Sequence, residues 1–160
     1  IEEYLHTVLT SDAPNKGWKI PETTLVYPWI VRLFPDIRYI HWVRDPRDCI
    51  LGSHLTDDLN DFGIRYEKTD DIRTNRAISW LYQREIMHDT PAPAHVLAVR
   101  FEDMVFHQDE TLARLEKFLG IPMAKIEMRT DSVGRYKTDD GVHMFPFFQT
   151  EMDELGYDAE

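Results

Sequence analysis

The chain has 160 residues, 42% hydrophobic and 12% aromatic, enough for one domain with a real core and incompatible with wholesale disorder. No apolar run approaches the roughly 20 residues needed to span a membrane. A formal net charge of −11 argues against a nucleic-acid surface or another polyanionic partner, although a few arginines in a cleft can still bind a nucleotide.

Taken in order, residues Ile1 to Leu9 suit a short helix with Tyr4, Leu5, Val8 and Leu9 on one side, and Ser11 to Gly17 is a polar, turn-rich loop. Next comes WKIPETTLVYPWIVRLFP, in which Leu25, Val26, Trp29, Ile30, Leu33 and Phe34 repeat at helical spacing. This predicts an amphipathic helix packed on a sheet, with Pro28 imposing a kink or a start near Tyr27. Lys19 precedes it in a Lys-x-Pro pattern and, on residue type alone, is a solvated loop lysine.

The clearest chemical signal is FPDIRYIHWVRDPRDCILGSH, Phe34 to His54. Arg38 to Val43 is a nearly continuous apolar run, as expected for a strand covered on both faces. It ends in Arg44, after which Asp45 can accept from the first helical N–H groups and Pro46 has the fixed φ of the first helical position. A helix N-terminus beside a planar guanidinium, at the carboxyl end of a strand, is an anion site. The plainer reading is that Arg44 and Arg47 pair only with Asp45 and Asp48 on the surface. Cys49, the sole cysteine, permits no intrachain disulfide and is expected as a buried small hydrophobe.

Thr56 to Asp71 is acidic and irregular and reads as a loop or mobile lid. Helical spacing returns from Ile72, with Ala77, Trp80, Leu81 and Met87 inward, until the breaker Pro91-Ala-Pro93. Val96 to Val99 then form a short buried strand, so strand, helix and strand alternate as in a parallel α/β sheet. A helix over Asp109 to Leu119 is closed by Gly120 and Pro122. Asp131 to Asp140, DSVGRYKTDD, is on its residues alone an ordinary solvated turn, and a last helix runs from about Phe147 to Leu155. The seven histidines stand at no metal-ligand spacing with Cys or carboxylates, so no metal is expected.

Several of these stretches resemble sulfotransferases that use 3′-phosphoadenosine 5′-phosphosulfate (PAPS), most of all the tyrosylprotein and bacterial enzymes. In that family a strand ends in an Arg, followed by an Asp/Asn-Pro turn and a helix bearing a Ser, and the Arg and Ser hold the 3′-phosphate. The resemblance implies that role for Arg44. The family's serine position is Gly52 here, with Ser53 following, so either Ser53 substitutes or the Gly52 backbone N–H does. Lys19 matches a Lys-x-Pro whose lysine neutralises charge on the transferring sulfonate, a catalytic role. VRFEDMV resembles a Tyr-Glu-Asp-Leu strand end, which places Phe101 at the adenine, while Arg100, Glu102 and Asp103 bond neighbouring loops. KFLGIP matches a packing signature. Ser132, Arg135 and Lys137 fall where the family touches nucleotide again.

The resemblance implies a parallel β-sheet flanked by helices, a P-loop NTPase-like three-layer sandwich, in one domain spanning 1–160. The reaction implied is transfer of a sulfonate from PAPS to a hydroxyl or amine of a small-molecule or peptide acceptor, leaving adenosine 3′,5′-bisphosphate (PAP). The family's glycine-rich 5′-phosphosulfate loop does not occur between Ile1 and Glu160, where glycines stand scattered at 17, 52, 63, 120, 134, 141 and 156. That predicts a truncated domain without its first strand and loop, or a piece supplied elsewhere, in a chain otherwise compatible with a homodimer. Glu22 and His54 are weak candidates for a general base. With no signal peptide or membrane segment, a cytoplasmic location is expected. The competing readings are a non-catalytic nucleotide-binding or scaffold protein of the same fold, and a nucleotide kinase, which would need a Walker-type loop.

Overall fold

The computed structural model describes residues 2–157; Ile1 and the side chain of Tyr4, both assigned above to the first helix, lie outside the described residues. The helices are α1 (Glu2–Thr10), α2 (Tyr27–Leu33), α3 (Pro46–Cys49), α4 (Ile72–Asp89), α5 (Phe101–Phe106), α6 (Gln108–Leu119) and α7 (Gln149–Leu155). The strands are β1 (Arg38–Val43) and β2 (His95–Arg100), paired in parallel from Arg38 opposite His95 to Val43 opposite Arg100. Parallel neighbours need a crossover; α3 and α4 supply it.

Alternation along the strands feeds two cores. Ile40, Leu97 and Val99 join Met104, Leu112 and Leu115 from α5 and α6. Val43 joins Ile50, Ala77, Phe145, Phe148, Met152 and Tyr157. The chain is therefore α/β with helices packed around a parallel sheet, but that sheet has two strands among the described residues, fewer than the three-layer sandwich expected. With so narrow a sheet, strand side chains are only partly covered: Trp42 is 45% and Val96 40% exposed, against the expectation of burial on both faces.

Three further expectations change in detail. Residues of the apolar stretch before β1 split into a 3-10 turn, Pro21–Val26, and α2, which begins at Tyr27 with Pro28 in its first turn, where a missing N–H costs nothing. Only Tyr27 and Ile30 of α2 are buried, while Trp29 and Leu33 are exposed. The helix after Arg44 is four residues long and gives way to turns, where Arg76 of α4 donates to the Ile50 carbonyl (3.2 Å).

The acidic stretch after it is tied to α4 at both ends. Ser79 Oγ donates to the Thr56 carbonyl, Arg76 Nε donates to Asp57 (2.9 Å), and Leu59 is 1% exposed. Asn75 accepts from Thr69 N (2.9 Å) and donates to Thr69 O (2.8 Å). This explains why Asn75 and Ser79 are buried on α4: they satisfy loop backbone that would otherwise be desolvated without partners. Among the described residues no helix is long and apolar enough to cross a membrane, and no group of three or more His, Cys, Asp or Glu could hold a metal ion.

His41 lies mid-β1, where burial, with Arg84 nearby, pushes its pKa down to about 4. The unfolded imidazole protonates near 6.5 and the folded one resists. Stability from this residue is thus complete above about pH 6.5 and falls as pH drops toward 4, by on the order of 3 kcal/mol. Denaturant unfolding at stepped pH should show the decline, and His41→Gln should flatten it; an unaltered slope in the variant would exclude His41 as its source.

Candidate functional site at the carboxyl end of the sheet

At the end of β1 the Asp45 carboxylate accepts from the Arg47 backbone N–H (2.9 Å), capping α3 as its sequence predicts. The same carboxylate takes the Arg47 guanidinium in a fork, Nε at 3.0 Å and Nη2 at 2.8 Å. Arg47 and Asp45 are 4% and 6% exposed, so this pairing exists but is buried, with Arg47 Cζ 4.1 Å from the Tyr136 ring centroid.

Asp48 is 0% exposed and organises the loop opposite. Its Oδ2 accepts from Gly134 N (2.7 Å) and its Oδ1 from Tyr136 N (3.1 Å). Arg135 Nη2 donates to the Asp48 backbone carbonyl (3.3 Å). Gly134 has φ 73°, a left-handed conformation that costs a glycine little, and the loop that follows it brings the N–H groups of residues 134 and 136 to one carboxylate.

Arg44 stands between these pieces. Its Nη2 donates to the Ser132 carbonyl and lies 3.7 Å from Asp48 Oδ2, and its Cζ is 4.7 Å from the Phe101 ring centroid. The side chain is 25% exposed, and its Nε is buried with no hydrogen-bond partner. Glu102 closes the back of the cluster: Oε1 accepts from Asp45 N (3.0 Å) and Oε2 from the Tyr157 hydroxyl (2.8 Å). Burial, with the Glu102 carboxylate adding to it, raises the Tyr157 pKa well above the usual phenol range.

Arg44, Phe101, Ser132 and Arg135 are thus brought together, with Lys137 beside them, its Nζ 5.9 Å from the Tyr136 ring. Ser132 offers its carbonyl to Arg44 while its hydroxyl donates to the Arg129 carbonyl. Gly52 and Ser53 are exposed in the turn after α3, and a Cβ at Gly52 would meet nothing within 4 Å. Phe101 has one face against Arg44 and packs edge-on to Trp42 (6.4 Å, 63°), so its stacking surface is already shared.

The structure does not bring Lys19 to this cluster: it is exposed, and its neighbour Trp18 packs on Phe34 (5.9 Å), before the first residue of β1 and therefore toward the other end of the strand. Of the two candidate bases, His54 Nδ1 accepts from Thr56 N (3.2 Å) as a cap, and Glu22 sits in the first turn of the 3-10 segment at Pro21–Val26. Cys49 is half-buried, and desolvation pushes its thiol up to about 12, so it stays protonated.

Sequence reasoning gave Asp48 only a surface role and overlooked Tyr136. The available signals were the placement of Asp48 four residues after Arg44 and of an aromatic between Arg135 and Lys137.

Compared with known families, residues 2–125 of the 160 match the model described as the sulfotransferase family. The chain belongs to the sulfotransferase family. No curated protein and no solved structure matches it. Within this sulfotransferase-family chain the matched residues include both strands, Arg44 and Phe101, whereas Ser132, Arg135 and Lys137 lie beyond them.

Asp48→Ala would strip two buried N–H groups of their acceptor and should cost about 3 kcal/mol, with Asp48→Asn costing less because one oxygen acceptor survives. Urea unfolding of both variants measures this, and equal, negligible losses would show that the loop is held by other contacts.

Proposed function

We propose that the Arg44 cluster anchors the 3′-phosphate of PAPS and that the chain is part of a single sulfotransferase domain transferring a sulfonate to a hydroxyl or amine. The observation that carries this reading is Arg44 itself: a partly exposed arginine at the carboxyl end of a parallel strand, held in place by Phe101 and by the Ser132 carbonyl at Nη2, with its Nη1 accessible and donating to no protein acceptor. An arginine fully engaged with protein acceptors would have no donor to spare. This one has, so the residues fit an anionic ligand.

PAPS supplies an activated sulfonate, and its loss leaves PAP. Arg44 holds the phosphate by charge-assisted hydrogen bonds, and Arg135 and Lys137 add positive charge from the loop that Asp48 positions. The Gly52 N–H and the Ser53 hydroxyl face solvent in the turn after α3 and are available as further donors. Phe101 and the exposed Trp42 give the adenine an aromatic neighbour, with Arg44 already occupying one Phe101 face.

A second reading, nucleotide binding without transfer, is favoured by the placement of Lys19 toward the opposite end of β1. Lys19 takes no part in the anchoring proposed above. The two readings share the anchor and differ in turnover.

Arg44→Ala should weaken PAP binding by about 2 kcal/mol, the cost of a lost charged contact. Isothermal calorimetry with PAP tests this: an affinity equal to that of the unmodified chain would remove Arg44 from the site. Assay of sulfonate transfer from PAPS by the same protein then separates transferase from binding protein.

A further inference from the structure

The amino end of the sheet carries a different feature. Arg38 and His95 face each other at the first step of the strand register. With Arg114, Lys117 and Phe118 of α6, and Leu97 of β2, they line an open groove of about 420 Å³. No carboxylate is among those six residues. None of Arg38, Arg114 and Lys117 forms an ion pair with a carboxylate among the described residues.

In a chain of formal net charge −11 this is a local reversal of sign, suited to an anion from outside the chain. Two of the cations are aimed by backbone. Arg38 Nη1 donates to the Leu119 carbonyl (2.9 Å) and Arg114 Nη2 to the Ala98 carbonyl (3.0 Å). Each bond uses one of five guanidinium donors, which fixes the plane and leaves the others for a ligand. Of the other lining residues, Leu97 and Phe118 are apolar, and His95 and Lys117 are polar.

We propose that this groove is a second ligand site, taking an amphipathic organic anion: a ring or short chain that carries one sulfonate, sulfate or carboxylate. Arg38 and Arg114 receive the anionic head, the exposed Lys117 adds charge at the rim, and Leu97 and Phe118 cover the apolar body. The site is separate from the Arg44 cluster, since β1 runs five residue steps of about 3.3 Å between Arg38 and Val43. It does not depend on the PAPS reading.

Calorimetric titration with naphthalene-2-sulfonate tests the proposal, with inorganic sulfate and the neutral naphthalene-2-sulfonamide as parallel titrants. Saturable binding of the sulfonate is expected, with both other titrants weaker by about tenfold or more, the factor associated with one charged contact. Arg114→Glu and Lys117→Glu, both at exposed helix positions, should each weaken the sulfonate by at least about tenfold. Arg44→Ala should leave it unchanged. Equal binding of the sulfonamide would mean a merely apolar groove, and equal binding of sulfate a bare anion site; either overturns the proposal. So would no saturable binding, indifference to both charge reversals, or loss of binding in Arg44→Ala, which would put the probe at the other end of the sheet.

Discussion

Asp48 is a fully buried carboxylate, and a buried charge persists only where donors replace the water it has lost. Here the replacements are the N–H groups of Gly134 and Tyr136, with the Arg44 guanidinium close by. Satisfying one charge therefore fixes three things at once: the first turn after β1, the conformation of the loop at residues 132–136, and the position of Arg44. Removing any one donor would expose the rest to the full desolvation cost. The cluster behaves as a unit because its central member cannot be left half-satisfied.

Glu102 does for the other side what Asp48 does for this one. It accepts from the backbone at Asp45 and from the hydroxyl of Tyr157, so the start of α5 is tied to the turn after β1 and to the second residue beyond α7. Two carboxylates, one on each side of the strand end, thus tie the surrounding loops to the sheet. The apolar clusters supply most of the driving force, while these acids choose which loops meet above Arg44.

Local chemistry made much of this legible. The strand Arg38–Val43, the cap at Asp45, the proline at the first helical position and the glycine that closes α6 each follow from residue types within a few positions, and the structure has them there. What could not be read was non-local. The apolar run before β1 has helical spacing throughout, yet its first half is a 3-10 turn and only two of its α-helical residues are buried. Periodicity reports a pattern but not how much surface is available to cover it. Lys19 was placed by family pattern, whereas its position in the fold is set by Trp18 packing on Phe34, a contact no motif encodes. Asp48 looked like a surface partner for arginine because its true partners are backbone N–H groups, which have no signature in the sequence.

Those partners lie 86 and 88 residues further along the chain. Contacts of such span close long loops, and the entropy of bringing distant segments together must be offset by the burial they complete. Arg44 has its native surroundings only after residues 132–136 have docked. A ligand held by this cluster binds the native fold and not the unfolded chain. It therefore stabilises the native chain by mass action, and its affinity doubles as a gauge of how completely the protein has folded.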